Sequence, residues 1–189
     1  MLRGVNSLWL EIWNNGNKLL QKDMLLSVNG VEEMYRWINL RHVTGGDEDR
    51  ATDIINEPAN YPDELCNGKQ LVFVHGYNVS EEGARAWSAE MFKRLYQSGS
   101  RAMFTAVTWY GNEGQISEYV PFAGGSTPDY YVNVEHAFET AEDLKNAVGS
   151  LPGQKYIVGH SLGNMLVSSA IVDEGLNVNA YFMIDAAVA

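Results

Sequence analysis

The sequence contains a single cysteine, Cys66, among its 189 residues. One cysteine excludes an intramolecular disulfide and a cysteine-rich zinc site, and we expect neither a metal nor a cofactor. No apolar run approaches the ~18 residues that a membrane-spanning helix needs, so we expect no transmembrane segment. The N-terminus opens no apolar stretch of the kind that begins a secretory signal, which favours a cytoplasmic location.

Basic residues are also few. The 13 lysines and arginines stand against 24 aspartates and glutamates, which gives a formal net charge of −11. A chain of this charge repels phosphate backbones, so nucleic acid is not an expected partner. Hydrophobic residues make up 46% of the chain and charged residues 20%, proportions that are typical of a folded domain and exclude extensive disorder.

The pattern of the chain changes near residue 69, and we divide it into an N-terminal extension, 1–68, and a core, 69–189. In the extension, Ser7 to Val28 reads as a β-hairpin, with a turn at Asn14-Asn15-Gly16-Asn17, residues that tolerate positive φ. Apolar residues from Val31 to Ile38 fall at helical spacing and predict a short helix there.

The core alternates short apolar runs with amphipathic segments. This alternation predicts an α/β fold with a mostly parallel sheet joined by right-handed crossovers. The predicted elements are strands at 70–74, 102–109, 155–158 and 179–184, with intervening helices at 80–99, 129–148 (beginning at Asp129) and 161–174.

The clearest chemical signal is the sequence Gly-His-Ser-Leu-Gly at 159–163. It follows the predicted strand at 155–158 and begins the next helix, a context in which the hydroxyl of Ser161 projects above the sheet edge. Gly159 and Gly163 leave room for the tight turn, and the helix N-terminus presents N–H groups to developing negative charge. The alternative is a glycine-tolerant turn whose serine only caps the helix.

A second signal, His75-Gly76-Tyr77, follows the first buried strand. An oxyanion hole needs two N–H donors aimed at one point. One donor is expected from Leu162, after the serine, and the other from this loop, where Gly76 allows a sharp turn. The alternative is an ordinary strand-end turn with a buried histidine.

Together the two motifs resemble the α/β-hydrolase superfamily, especially its lipases and esterases, over about Lys69 to Asp185. The resemblance implies a doubly wound sheet, a small acyl ester or lipid substrate and Ser161 as the nucleophile. It also implies the amides of Tyr77 and Leu162 as oxyanion donors, and Asp185 as the acid, because some lipases carry their acid at the end of this strand. The alternative for Asp185 is a strand-end aspartate that caps the next turn. The motif positions expected to support the site are His75, Gly76, Gly159, His160 and Gly163.

The base that must take the serine proton is harder to place. In this superfamily the order along the chain is serine, acid, histidine, yet no histidine follows Ser161. We expect the His160 side chain to point away from the serine and His75 to support its loop. His136 and His42 are either ordinary residues of a helix and of the N-terminal extension or an unusual base that folds into the site. The further strands and histidine loop of the family are not among these residues, so the chain resembles the front portion of a hydrolase.

Two functions from different classes fit these observations. The first is a serine hydrolase of carboxylic esters. The second is a non-catalytic or incomplete hydrolase scaffold that associates with another chain, including a second copy, through an open sheet edge.

Overall fold

The computed structural model describes residues 4–28, 30–41, 55–56, 66–112 and 130–187. The N-terminal residues form an antiparallel hairpin of strands β1 (Gly4–Asn14) and β2 (Asn17–Val28). Asn15 and Gly16 join the strands with φ values of 47° and 79°, a left-handed geometry that asparagine and glycine accommodate best. The predicted hairpin and its turn are confirmed.

Six further strands form one sheet in the order β4-β3-β6-β5-β7-β8. All neighbouring pairs run parallel except β3 and β4, which are antiparallel. The strands are β3 (Arg36–Asn39), β4 (Ile55–Asn56), β5 (Lys69–Val74), β6 (Met103–Thr108), β7 (Gln154–His160) and β8 (Ala180–Ile184). The helices are α1 (Glu81–Gln97), α2 (Tyr130–Glu139), α3 (Ala141–Gly149) and α4 (Gly163–Val172).

The predicted helix from Val31 to Ile38 is wrong. Only Val31–Met34 is helical, as a single 3-10 turn, and the chain then continues into β3. Trp37 and Ile38 are both buried, and they lie on opposite faces of the sheet because side chains alternate along a strand. Burial on both faces overrides the local helical spacing, and residues before position 69 contribute β3 and β4 to the sheet.

Helices cover both faces of the sheet, as a doubly wound fold requires. On one face α1 packs through Ala84 and Phe92 against Phe73, while on the other Val72 and Val74 face α2, α3 and α4. The segment predicted as one helix from Asp129 contains two, which meet at Thr140, whose hydroxyl donates to the carbonyl of His136 at 2.6 Å. Asp129 itself lies outside the described residues.

The parallel pairing brings the ends of the central strands together. Val74 of β5 is aligned with Val107 of β6 on one side and with Gly159 of β7 on the other. The loops that follow these strands therefore meet at one edge of the sheet, where open α/β sheets bind their ligands. No helix in the described part of the chain is long and apolar enough to cross a membrane.

Candidate active site

Ser161 occupies a strained turn between β7 and α4. Its φ is +50°, a left-handed conformation that costs a non-glycine residue about 1–2 kcal/mol. Its N–H donates to the carbonyl of Ile184 at 3.0 Å, and its own carbonyl accepts from the N–H of Asn164 at 3.0 Å. The side chain is partly exposed. The turn thus holds a serine hydroxyl at the carboxyl edge of the sheet, in a conformation that the surrounding structure must enforce.

Two glycines allow the loop after β5 to approach this turn closely. A Cβ on Gly163 would lie 2.3 Å from the carbonyl oxygen of His75. A Cβ on Gly76 would lie 2.8 Å from the Cβ of Ser161. Both distances are too short for any side chain, so these positions require glycine for the two segments to remain in contact.

Asn164 stabilises the turn, a role that no motif in the sequence predicts. Its fully buried side chain donates through Nδ2 to the carbonyls of Ser161 at 2.9 Å and Ile184 at 3.2 Å. Its Oδ1 accepts from the Tyr181 hydroxyl at 2.7 Å. A Cβ on Gly159 would lie 2.6 Å from that Oδ1, so this glycine makes room for the Asn164 side chain. Asn164 therefore links the serine turn to the end of β8.

His75 is a buried structural residue at the end of β5. Its Nδ1 donates to the carbonyl of Gly76 at 2.9 Å, and its Nε2 accepts from the N–H of Trp109 at 3.2 Å and lies 3.0 Å from the Thr108 hydroxyl. The Trp109 indole N–H donates to the His75 carbonyl at 2.8 Å. Burial is the main cause that lowers the pKa of His75 to about 3, and the positive charge of Arg41 lowers it further. The ring is therefore neutral at pH 7 and fixes the loop after β5.

This lowered pKa predicts an acid-sensitive contribution to stability. In the unfolded chain His75 binds a proton below its ordinary pKa of 6.5, whereas in the folded chain it stays neutral down to about pH 3. The free energy of unfolding should therefore fall as the pH is lowered through this window, by up to ~1.4 kcal/mol per pH unit from this group. Urea denaturation between pH 7 and pH 4 should show a shallower pH dependence for His75→Gln than for the wild type. Equal slopes would contradict this account.

The two other histidines that the structure describes, His160 and His136, make contacts of their own. The His160 ring packs against Trp87 of α1, with centroids 5.2 Å apart. His136 lies on α2, where its Nδ1 donates to the carbonyl of Tyr110 at 3.0 Å and its ring stacks on the Tyr110 ring at 5.3 Å. His42 lies outside the described residues.

Asp185 follows β8 directly and has a φ of +42°. The backbone on either side of it is bonded to the serine turn, because Ile184 accepts from the Ser161 N–H and Ala187 donates to the Ser161 carbonyl at 3.1 Å. The Asp185 side chain is exposed. Within the described residues, neither its carboxylate nor the Ser161 hydroxyl makes a side-chain hydrogen bond. The structure thus brings Asp185 beside the serine turn through the backbone.

The two residues predicted to supply oxyanion donors are Leu162, which follows Ser161 in the chain, and Tyr77, which follows the Gly76 that packs against Ser161. Leu162 immediately precedes α4, its side chain is fully buried in the core, and its N–H makes no hydrogen bond within the described residues. Tyr77 lies in the loop after β5, and its ring meets the Tyr130 ring edge-on at 5.1 Å. A helix N-terminus next to a serine hydroxyl favours negative charge at that point.

Metal chemistry has no visible ligand set in this region. Across the part of the chain that the structure describes, no three histidine, cysteine, aspartate or glutamate side chains cluster as metal ligands do.

Two comparisons with known proteins were informative: one found no match, and the other identified a family. None of the curated proteins compared with the chain matches it. The model of the alpha/beta hydrolase family matches residues 71–189, which include most of β5, all of β6 to β8, the helices between them and both glycine-containing motifs. Since this match spans more than half of the chain, the protein belongs to the alpha/beta hydrolase family.

Proposed function

We propose that the protein is a serine hydrolase of carboxylic esters, with Ser161 as the nucleophile that attacks the acyl carbon. The observation that carries this proposal is the φ of +50° at Ser161, in a turn between a parallel strand and a helix. Strained non-glycine residues cluster at functional sites, where the strain holds a reacting group in place. A serine that only capped the helix would need no such conformation, because capping residues adopt extended φ and ψ values.

Charge that develops on the acyl oxygen would be stabilised by the backbone amides of Leu162 and Tyr77. The first amide stands at the N-terminus of α4, and the second lies in the loop that Gly76 brings against Ser161. Removal of one such donor typically costs 10²–10³-fold in kcat, so this pair would supply a large part of the rate enhancement.

The proposed reaction also needs a base that takes the serine proton and a carboxylate that orients this base. Asp185 is proposed as the orienting carboxylate, because the backbone beside it is bonded to the serine turn. His75 is unsuited to act as the base, since it is fully buried and both ring nitrogens are engaged. His136 and His42 are the candidate bases, and substitution of each by glutamine tests that role directly.

Ester turnover is the test of this function. We expect saturable hydrolysis of short p-nitrophenyl esters that stops after reaction with an equimolar amount of a fluorophosphonate. Wild-type protein that neither hydrolyses these esters nor loses activity to the probe would overturn the proposal.

One observation favours a second candidate function, association through β8. Among the described strands, β8 pairs only with β7, so no described strand covers its outer edge. It carries no charged residue, and Phe182, Met183 and Ile184 are 51%, 52% and 39% exposed. Proteins usually protect such edges with charge, proline or a covering element. Trp87, His160 and Ile184 also line a groove of about 360 Å³ beside α1.

Introducing a charged residue on the outer edge of β8 tests association separately from catalysis. If the chain assembles through β8, sedimentation should show a dimer for the wild type and a monomer for Phe182→Lys, because a lysine on an edge strand opposes pairing. Tyr131→Lys is the matched control, since Tyr131 is an aromatic residue on α2 that is 78% exposed. A monomeric wild type with full esterase activity would eliminate this second function.

A further inference from the structure

Arg41 is a fully buried arginine, with 0% of its surface exposed, at the carboxyl edge of the sheet. It lies two residues after β3, where the N–H of Leu40 donates to the carbonyl of Thr108 at 2.8 Å. Its own N–H donates to Oδ1 of Asn39 at 3.0 Å. These backbone bonds fix the point from which the side chain reaches inward, between the loops that follow β5 and β6.

The guanidinium of Arg41 bridges those two loops. One terminal nitrogen, Nη1, donates to the carbonyl of Trp109 at 2.9 Å and to the carbonyl of Val79 at 3.3 Å. The other, Nη2, donates to the side-chain oxygen of Asn112. The group also lies over the Tyr110 ring, 5.3 Å from its centroid. A single planar cation thus holds the loop after β6 and the loop after β5 together, which the point charge of a lysine does poorly.

The loop after β5 is the one that carries Tyr77. Val79, the Arg41 partner, is two residues further along, and between them Asn78 has a φ of +57°. The N–H of Asn78 donates to the carbonyl of Gly111 at 2.8 Å. The two residues that follow Tyr77 are therefore both held to the loop after β6. Asn78 is bonded to it directly, and Val79 is joined to it through Arg41.

We propose that Arg41 is a positioning residue for the oxyanion donor at Tyr77. It acts through Val79, by holding the loop after β5 in the conformation that directs the Tyr77 N–H toward the acyl oxygen. This inference rests on the proposed ester hydrolysis. It assigns a role in that reaction to a residue that does not touch the substrate.

Steady-state kinetics of Arg41→Met and Arg41→Lys test this role. After correction for the fraction of protein that a fluorophosphonate titrates, we expect Arg41→Met to lower kcat about 10-fold with KM changed less than about 3-fold, because oxyanion stabilisation acts on the transition state. Arg41→Lys keeps the charge and should lie between Arg41→Met and the wild type. Arg101→Met is the matched control, since Arg101 also stacks on a tyrosine, Tyr96 at 5.2 Å, but precedes β6 at the opposite end of the sheet.

Hydrogen exchange measured by mass spectrometry reports on the loop without requiring turnover. We expect faster exchange over residues 76–80 in both Arg41 variants and wild-type exchange there in Arg101→Met. Unchanged exchange in Arg41→Met, or a kcat per active site no lower than that of Arg101→Met, would overturn the proposal. If the wild type hydrolyses no ester, the proposed function fails by itself, and the exchange data still decide whether Arg41 holds the loop.

Discussion

Ser161→Ala is expected to lower ester hydrolysis by ~10³-fold or more, because it removes the only atom that attacks the acyl carbon in the proposed reaction. Stability should change little. The Ser161 hydroxyl makes no hydrogen bond within the described residues, and alanine meets the same backbone strain as serine. Initial rates with p-nitrophenyl acetate, measured beside thermal unfolding of the same samples, check both expectations.

Ser168→Ala is the matched control for this substitution. Ser168 lies on the same helix, α4, and its hydroxyl is 3.4 Å from the Tyr181 hydroxyl. We expect wild-type turnover from this variant. Comparable activity in Ser161→Ala and the wild type would mean that any esterase activity arises elsewhere on the protein, and the proposed function would be rejected.

Gly163→Ala is expected to destabilise the fold by about 2–4 kcal/mol and to abolish the site with it. The added Cβ would meet the carbonyl oxygens of His75 at 2.3 Å and Val74 at 3.0 Å. Both are backbone atoms of a central buried strand and its loop, so neither can rotate away. The better helix propensity of alanine, worth ~1 kcal/mol, is too small to offset this clash. Urea denaturation measures the change.

Gly149→Ala provides the comparison at a helical glycine without such a contact. Gly149 ends α3, and a Cβ there would meet no atom within 4 Å. We expect its free energy of unfolding to lie within ~1 kcal/mol of the wild-type value, on the stabilising side. If Gly163→Ala were equally harmless, the loop after β5 would not press against the serine turn, and the geometry of the site would be wrong.

The strands β5, β6, β7 and β8 were predictable because each is a short apolar run between helices with clear beginnings. The beginning of α1 is an example. Ser80 precedes the helix and accepts a hydrogen bond from the N–H of Gly83 at 3.1 Å, as a serine at the start of a helix is expected to do. β3 was not predictable in the same way. Its four residues, Arg36–Asn39, are buried on both faces, and this burial depends on segments that lie far away in the chain.

The residues of the candidate site likewise differ in whether the sequence could predict them. Ser161 and its glycines form local motifs, and their place between a predicted strand and a predicted helix predicts a tight turn. Asn164 and Arg41 have no local motif, because each binds a backbone carbonyl far away in the chain. Asn164 donates to Ile184, 20 residues away, and Arg41 donates to Trp109, 68 residues away. Any residue type supplies a backbone carbonyl, so no sequence pattern identifies these contacts before the fold is known.

The central claim is that Ser161 is an activated nucleophile. Its most direct test is to incubate the wild-type protein with a fluorophosphonate and locate the adduct by mass spectrometry of the digested chain. The account predicts one adduct per chain, on Ser161, and none on Ser161→Ala. An unlabelled wild type, or an adduct on another residue, would contradict it.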